Sequence, residues 1–233
     1  MKDTTIKNIV IVHGAFADAS GWEPAYKILK SKGYKVTLVQ NPTTTLEDDV
    51  TATKAALDRQ DGPALLVGHS WGGTVITEAG IHDLVAALVY VAAFVPDVNE
   101  STLQLVQSEK ILEVNGILPP DDKGLVYLDE ALFNQTFATG QSAEKSAFMY
   151  DSQIPLTVKS FITPVTNAAW RSKPSYAILP TDDATVNPKL QYTMYNRAGS
   201  TITEMTGGHT LFMTHAEEVA NVIIKAAQNT NLL

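Results

Sequence analysis

Ala64-Leu65-Leu66-Val67-Gly68-His69-Ser70-Trp71-Gly72-Gly73 decides the reading of this chain. Four apolar residues in a row have the length and look of a buried strand. A serine framed by glycines follows, and an amphipathic stretch, Trp71 to Ala79, reads as a helix behind it. A serine on a sharp strand-to-helix turn takes unfavourable backbone angles, and glycines at 68 and 72 remove side chains that would clash across it. Such a turn lifts the Ser70 hydroxyl above the sheet edge. It also aims the free N–H groups of the helix start at any negative charge that develops there. The string Gly-x-Ser-x-Gly means little alone; between a strand and a helix it describes a nucleophile on an elbow. The competing reading is a glycine-rich structural turn with an idle serine.

Outward from the elbow the chain alternates. Ile6 to Val12 reads as a strand. Ser20 reads as the cap of a helix with Trp22, Tyr26 and Leu29 on one face, stopped by Gly33. Val36 to Val39 is a second strand. Asp48 or Asp49 opens a helix running to about Gln60, with Val50, Thr53 and Leu57 inward. Ala64 to Val67 is the third strand and Ala86 to Ala92 the fourth. Unbroken apolar runs separated by helices predict a parallel sheet covered on both faces. Right-handed crossovers then gather the strand C-termini on one edge, where ligands bind.

The alternation stops after Phe94-Val95-Pro96. Residues 97–165 carry no clean strand signal, and Leu103 to Val114, Gly124 to Phe133 and Ala143 to Met149 read as short helices of an inserted cap or lid. The α/β pattern resumes with a strand at Ser175 to Leu179, a helix near Pro188 to Arg197, a strand at Thr201 to Met205 and a long helix at about Leu211 to Gln228. The expected organisation is a core of residues 1–96 and 166–233 with the cap at 97–165.

Composition narrows the function. The 233 residues carry 17 Lys plus Arg against 25 Asp plus Glu, a formal charge of -8. That balance argues against a nucleic-acid binder and against a polybasic membrane anchor. With no cysteine in the chain, disulfides, thiolate catalysis and cysteine-held metals are excluded. Asp121-Asp122 and Asp48-Asp49 lack the spacing of a calcium loop, so no metal and no cofactor are expected. The start, MKDTTIKN, lacks the apolar core of a signal peptide, and a cytoplasmic location is the default. A small-molecule substrate is expected, with no membrane partner; a homo-oligomer is left open.

A serine nucleophile needs a base, and the base needs a carboxylate that fixes its tautomer. Of five histidines, His209 sits in Thr206-Gly207-Gly208-His209-Thr210, between the last strand and the last helix, on the edge that carries Ser70. His69 is expected to turn away from the serine, His82 to face solvent, His215 to lie on the surface or face the lid, and His13 to be a packed structural residue. The acid belongs after the strand ending at Leu179. Asp183 is preferred there because the chain after it packs back through Val186 and Pro188; Asp182 is the alternative. The oxyanion hole needs two N–H donors. One is assigned to Trp71, after the nucleophile. The other is assigned to Ala15 of the His13-Gly14-Ala15-Phe16 loop, with Phe16 as the alternative.

His-Gly-Ala-Phe at 13–16, Gly-His-Ser-Trp-Gly-Gly at 68–73, Asp-Ala-Thr-Val-Asn-Pro at 183–188 and Gly-Gly-His at 207–209 together resemble the α/β-hydrolase superfamily. The resemblance spans nearly the whole chain. It is strongest to small serine esterases related to plant methyl-ester esterases and hydroxynitrile lyases. It implies an α/β-hydrolase fold with a mostly parallel sheet of about six strands, flanking helices and a helical cap, the usual N-terminal hairpin being absent. It carries Ser70, Asp183 and His209 into a catalytic triad and Ala15 and Trp71 into an oxyanion hole. Dehalogenases and epoxide hydrolases of the superfamily have an aspartate where this chain has Ser70, and the plant lyases have a lysine where it has Thr210. The expected activity is hydrolysis of a small or medium, largely apolar carboxylic ester through an acyl-enzyme. The same triad would serve a lactonase, an amidase or a cofactor-free perhydrolase, and a non-turnover small-molecule binding module is the alternative from outside enzymology.

Overall fold

The computed structural model describes residues 6–109, 112 and 116–230. The elements in chain order are β1 (Asn8–Val12), α1 (Glu23–Ser31), β2 (Lys35–Val39), α2 (Leu46–Asp58), β3 (Ala64–His69), α3 (Trp71–Ala79) and β4 (Val85–Val91). Then come α4 (Thr102–Ser108), β5 (Leu125–Val126), α5 (Glu130–Thr136), α6 (Ala143–Asp151), β6 (Leu156–Thr157) and α7 (Val158–Ile162). The chain closes with β7 (Ser175–Pro180), α8 (Pro188–Arg197), β8 (Thr201–Met205), α9 (Leu211–Thr214) and α10 (Ala216–Asn229). Six strands form one sheet in the order β2-β1-β3-β4-β7-β8, and every neighbouring pair is parallel.

Both faces of that sheet are covered, as the unbroken apolar runs require. Ile9 and Ile11 face one side with Leu65, Val67 and Val89, under α1 and α10. Val10 and Val12 face the other with Leu66, Leu88 and Tyr90, under α2, α3 and α8. Trp22 stacks on Phe212, ring centroids 4.3 Å apart, and closes the first of these layers.

Strand order fixes where a site can form. From β1 the chain steps outward to β2 and then returns to β3 on the other side of β1. That reversal opens a crevice at the carboxyl edge, between the loops leaving β1 and β3. Val12 is in register with Gly68, so the His13–Phe16 loop and the elbow leave the sheet side by side.

Local signals placed several boundaries elsewhere. Ser20 caps nothing: the side chain of Asp18 accepts the Ser20 N–H and starts a 3-10 turn, Ala19–Trp22, that leads into α1. Asp48 and Asp49 do not open α2, because Thr45 caps it through the Asp48 N–H, 3.0 Å from Thr45 Oγ1. Thr45→Ala is therefore expected to lower unfolding stability by about 1 kcal/mol in urea titrations, with catalysis unchanged. The final helix is broken at His215 into α9 and α10.

The inserted segment holds α4 to α7. It also holds a two-stranded antiparallel pair, β5 with β6, where no strand was expected. The expected helix Gly124–Phe133 is instead β5 followed by the start of α5. The expected helix Leu103–Val114 is α4 as far as Ser108; residues 110, 111 and 113–115 lie outside the described residues, as does the start of the chain to residue 5. The segment leaves and rejoins the core side by side, with Asn99 N–H donating to Val165 O and Val165 N–H to Glu100 O.

Candidate active site

Ser70 sits between β3 and α3 at φ 52°, ψ -122°. A Cβ on Gly68 would lie 2.5 Å from Gly72 O, and one on Gly72 would lie 2.5 Å from Val12 O, so both positions require glycine. The strain is not confined to the serine. Phe16, Thr43, Ser70 and Ala92 all have positive φ, and they follow β1, β2, β3 and β4 in turn. Strained non-glycine residues thus stand at four adjacent strand ends of the edge that carries Ser70, and strain of this kind clusters at functional sites.

His209 and Asp183 meet on the same edge. The His209 ring is fully buried, and its Nδ1 lies 2.9 Å from Asp183 Oδ2. Asp183, 3% exposed, is held from four directions. Its Oδ1 accepts the N–H groups of Thr185 and Val186, and its Oδ2 accepts Gln191 Nε2–H as well as His209. A carboxylate takes the Nδ1–H of the imidazole, which leaves Nε2 as the unprotonated nitrogen. That Nε2 is buried and has no hydrogen-bond partner among the described residues. Asp182 is exposed; its carboxylate accepts Gly207 N–H at 3.3 Å and, among the described residues, makes no hydrogen bond to His209.

The two assigned backbone donors are free. No hydrogen bond engages the N–H of Ala15 or Trp71 among the described residues, and both residues line the same cavity as Ser70. Phe16, the alternative donor, has its N–H taken by Ile154 O at 2.9 Å. His13 is structural: Asn41 N–H donates to its Nε2 and its Nδ1–H donates to Gly14 O, while burial lowers its pKa.

Three groups around the site had no role in the sequence reading. His69 turns its ring onto that of His209, centroids 4.7 Å apart, and its Nε2–H donates to the His209 carbonyl. Burial, reinforced by His209, holds its pKa well below the usual imidazole range, so it is neutral. Gln191 and Tyr195 of α8 form a buried relay behind Asp183. Ala93 N–H donates to the Tyr195 hydroxyl, which donates to Gln191 Oε1. A glutamine and a tyrosine four apart on an otherwise apolar helix face were the available signal. His82 is half-buried rather than solvent-facing, joined to Asp58 Oδ1 and to Leu84 N–H.

The cavity above Ser70 has a volume of about 270 Å³. Leu103, Val106, Leu112, Ile117, Val126 and Phe161 of the inserted segment roof it, and no lysine or arginine lines it among the described residues. Leu105, Leu128, Phe133 and Phe137 of that segment are core instead, and Phe148 is 62% exposed. Among the described residues no group of three His, Asp or Glu side chains is placed to hold a metal, and no helix is long and apolar enough to cross a membrane.

Residues 9–222 match the model of the alpha/beta hydrolase family. The chain belongs to that family. The carbendazim hydrolyzing esterase of Nocardioides sp. (strain SG-4G) is 30% identical over 115 residues, which is 42% of this chain and 47% of that protein. The alpha/beta hydrolase nvfD of Aspergillus novofumigatus (strain IBT 16806) is 26% identical over 94% of this chain and 96% of its own. Among solved structures, a pyrethroid hydrolase from Sphingobium faniae JZ-2 superposes with TM-score 0.81 at 21% identity, over 97% of this chain and 98% of that one. Polyneuridine aldehyde esterase superposes with TM-score 0.82 at 18% identity, over 95% and 99%. These two likenesses concern the fold.

Proposed function

We propose that this hydrolase cleaves small to medium, uncharged carboxylic esters through an acyl-enzyme on Ser70. The observation that carries the proposal is the His209–Asp183 pair on the Ser70 edge, with a buried Nε2 that has no hydrogen-bond partner among the described residues. His209 Nε2 takes the Ser70 proton as Oγ attacks the ester carbonyl. The oxyanion accepts the N–H groups of Ala15 and Trp71. His209 then gives its proton to the leaving alcohol, and in the second half it activates water for deacylation. Asp183 keeps the tautomer and stabilises the imidazolium. Relatives described as esterases and hydrolases support this chemistry.

The lining supports the substrate class. Burying a carboxylate in an apolar cavity with no cation is costly. Hydrolysis of p-nitrophenyl butyrate and of the similarly sized p-nitrophenyl hemisuccinate tests it. The expected result is a kcat/KM at least about 100-fold lower for the anionic ester. Equal rates would remove the proposed selectivity, and turnover of neither ester would remove the proposed activity.

A further inference from the structure

Behind the elbow lies a second carboxylate that the proposed mechanism does not use. Asp49 is fully buried at the start of α2. Its Oδ2 accepts the indole Nε1–H of Trp71 at 2.7 Å, and its Oδ1 accepts the N–H of Thr43, also at 2.7 Å. The side chain of Trp71 is 1% exposed, and its backbone N–H is the proposed oxyanion donor. Thr43 is one of the four strained residues on the catalytic edge, at φ 57°. A β-branched residue in the left-handed region persists only where its surroundings over-determine it. Here they do. The Thr43 hydroxyl lies 2.8 Å from Pro155 O and 2.7 Å from Pro42 O, and Thr43 O accepts Thr157 N–H. The segment supplying Pro155 and Thr157 also supplies Ile154 O, which holds Phe16 beside Ala15. The chain through Ile154, Pro155 and Thr157 thus rests on the loop that carries the Ala15 donor and on the Thr43 loop, and Asp49 ties the Thr43 loop to Trp71.

We propose that Asp49 is a positioning residue for the oxyanion hole, holding the Trp71 donor through its indole and tying it to the Thr43 loop on which the inserted segment rests. This inference rests on the proposed role of Trp71. Asp49 is fixed by donors alone. Trp71 faces it from α3, Thr43 faces it from the β2–α2 loop, and the charged neighbour on its own helix is Asp48; among the described residues no cation pairs with it. Burial raises its pKa to about 6. Above that pH both oxygens accept. Below it, one oxygen carries a proton toward a group that also donates, and the anchorage loosens.

Two measurements on the full chain test this. The first needs no variant. The indole N–H resonance of Trp71, assigned by its loss in Trp71→Phe, is expected to titrate with a midpoint near 6 in the wild type. It is expected to stay flat in Asp49→Asn. A wild-type resonance that does not move between pH 4.5 and 8 overturns the coupling. The second is kinetic. Asp49→Asn keeps one acceptor but turns an amide N–H₂ toward a donor. Its kcat on p-nitrophenyl acetate is expected to fall about 10- to 100-fold, with KM within about threefold, because the lost interaction acts on the oxyanion. Trp71→Phe leaves the buried carboxylate short of a donor, and adding Asp49→Asn removes that charge. The double variant is therefore expected to be less impaired than the product of the two single losses. Folded Asp49→Asn protein with kcat within twofold of wild type, or losses that simply multiply, overturns the proposal. Should Asp49→Asn fail to fold, the wild-type titration decides. Should the wild type turn over no ester, the proposed function falls, while the titration still reports whether Asp49 and Trp71 are coupled.

Discussion

Ser70→Ala is expected to reduce ester turnover by about 10⁴- to 10⁶-fold while leaving the protein folded. The two halves of that expectation have separate causes. Ser70 Oγ makes no hydrogen bond among the described residues, and alanine meets the same backbone strain at φ 52°. Its removal should change unfolding stability by no more than about 1 kcal/mol. The catalytic loss comes from removing the only atom in the proposed scheme that can carry the acyl group. What remains, cavity binding and two backbone donors, stabilises the transition state for attack by water only weakly. Steady-state hydrolysis of p-nitrophenyl butyrate, beside a thermal melt, checks both halves.

The second large effect is expected at Asp183, where the fourfold anchorage predicts how asparagine would fail. Oδ1 accepts two backbone N–H groups, so the oxygen of an asparagine must stay there. Its N–H₂ then occupies the place of Oδ2, facing His209 Nδ1 and the Gln191 amide, which both donate in the wild type. The imidazole responds by accepting at Nδ1 and carrying its proton on Nε2, where the base should be. Asp183→Asn is therefore expected to lower kcat by about 10⁴-fold with the fold intact. Asp182→Asn, altering an exposed carboxylate that makes no hydrogen bond to His209 among the described residues, is expected to stay within about threefold of wild type. Measuring the two variants side by side separates the adjacent acids that the sequence left in competition.

What could be read from the sequence follows a physical division. The elbow, the parallel sheet and the positions of β7, α8 and β8 were legible because each rests on local pattern: an apolar run, a glycine forced by close approach, a helix opening with Asn187-Pro188. The β5–β6 pair was not, since two-residue strands carry no period. The start of α2 was misplaced because Asp49 looks like an ordinary first-turn carboxylate, whereas its oxygens serve Trp71, 22 positions away, and the strained Thr43. Gln191 and Tyr195 were missed for a related reason. Their partners, Asp183 and Ala93, lie on other strand ends, and only the closed sheet brings them together. His69 was expected to turn from the nucleophile, and nothing local showed that its ring would support His209 through the carbonyl. Candidate site residues could be named one at a time; the buried bonds that hold them could not.

The central claim is that Ser70 becomes acylated and that His209 makes this possible. Intact-mass spectrometry after treatment with a fluorophosphonate probe, followed by peptide mapping, tests it most directly. The account predicts a single adduct on Ser70, complete in the wild type, absent in Ser70→Ala and strongly slowed in His209→Ala. An adduct on another residue, or equal labelling of Ser70 with and without His209, would contradict it.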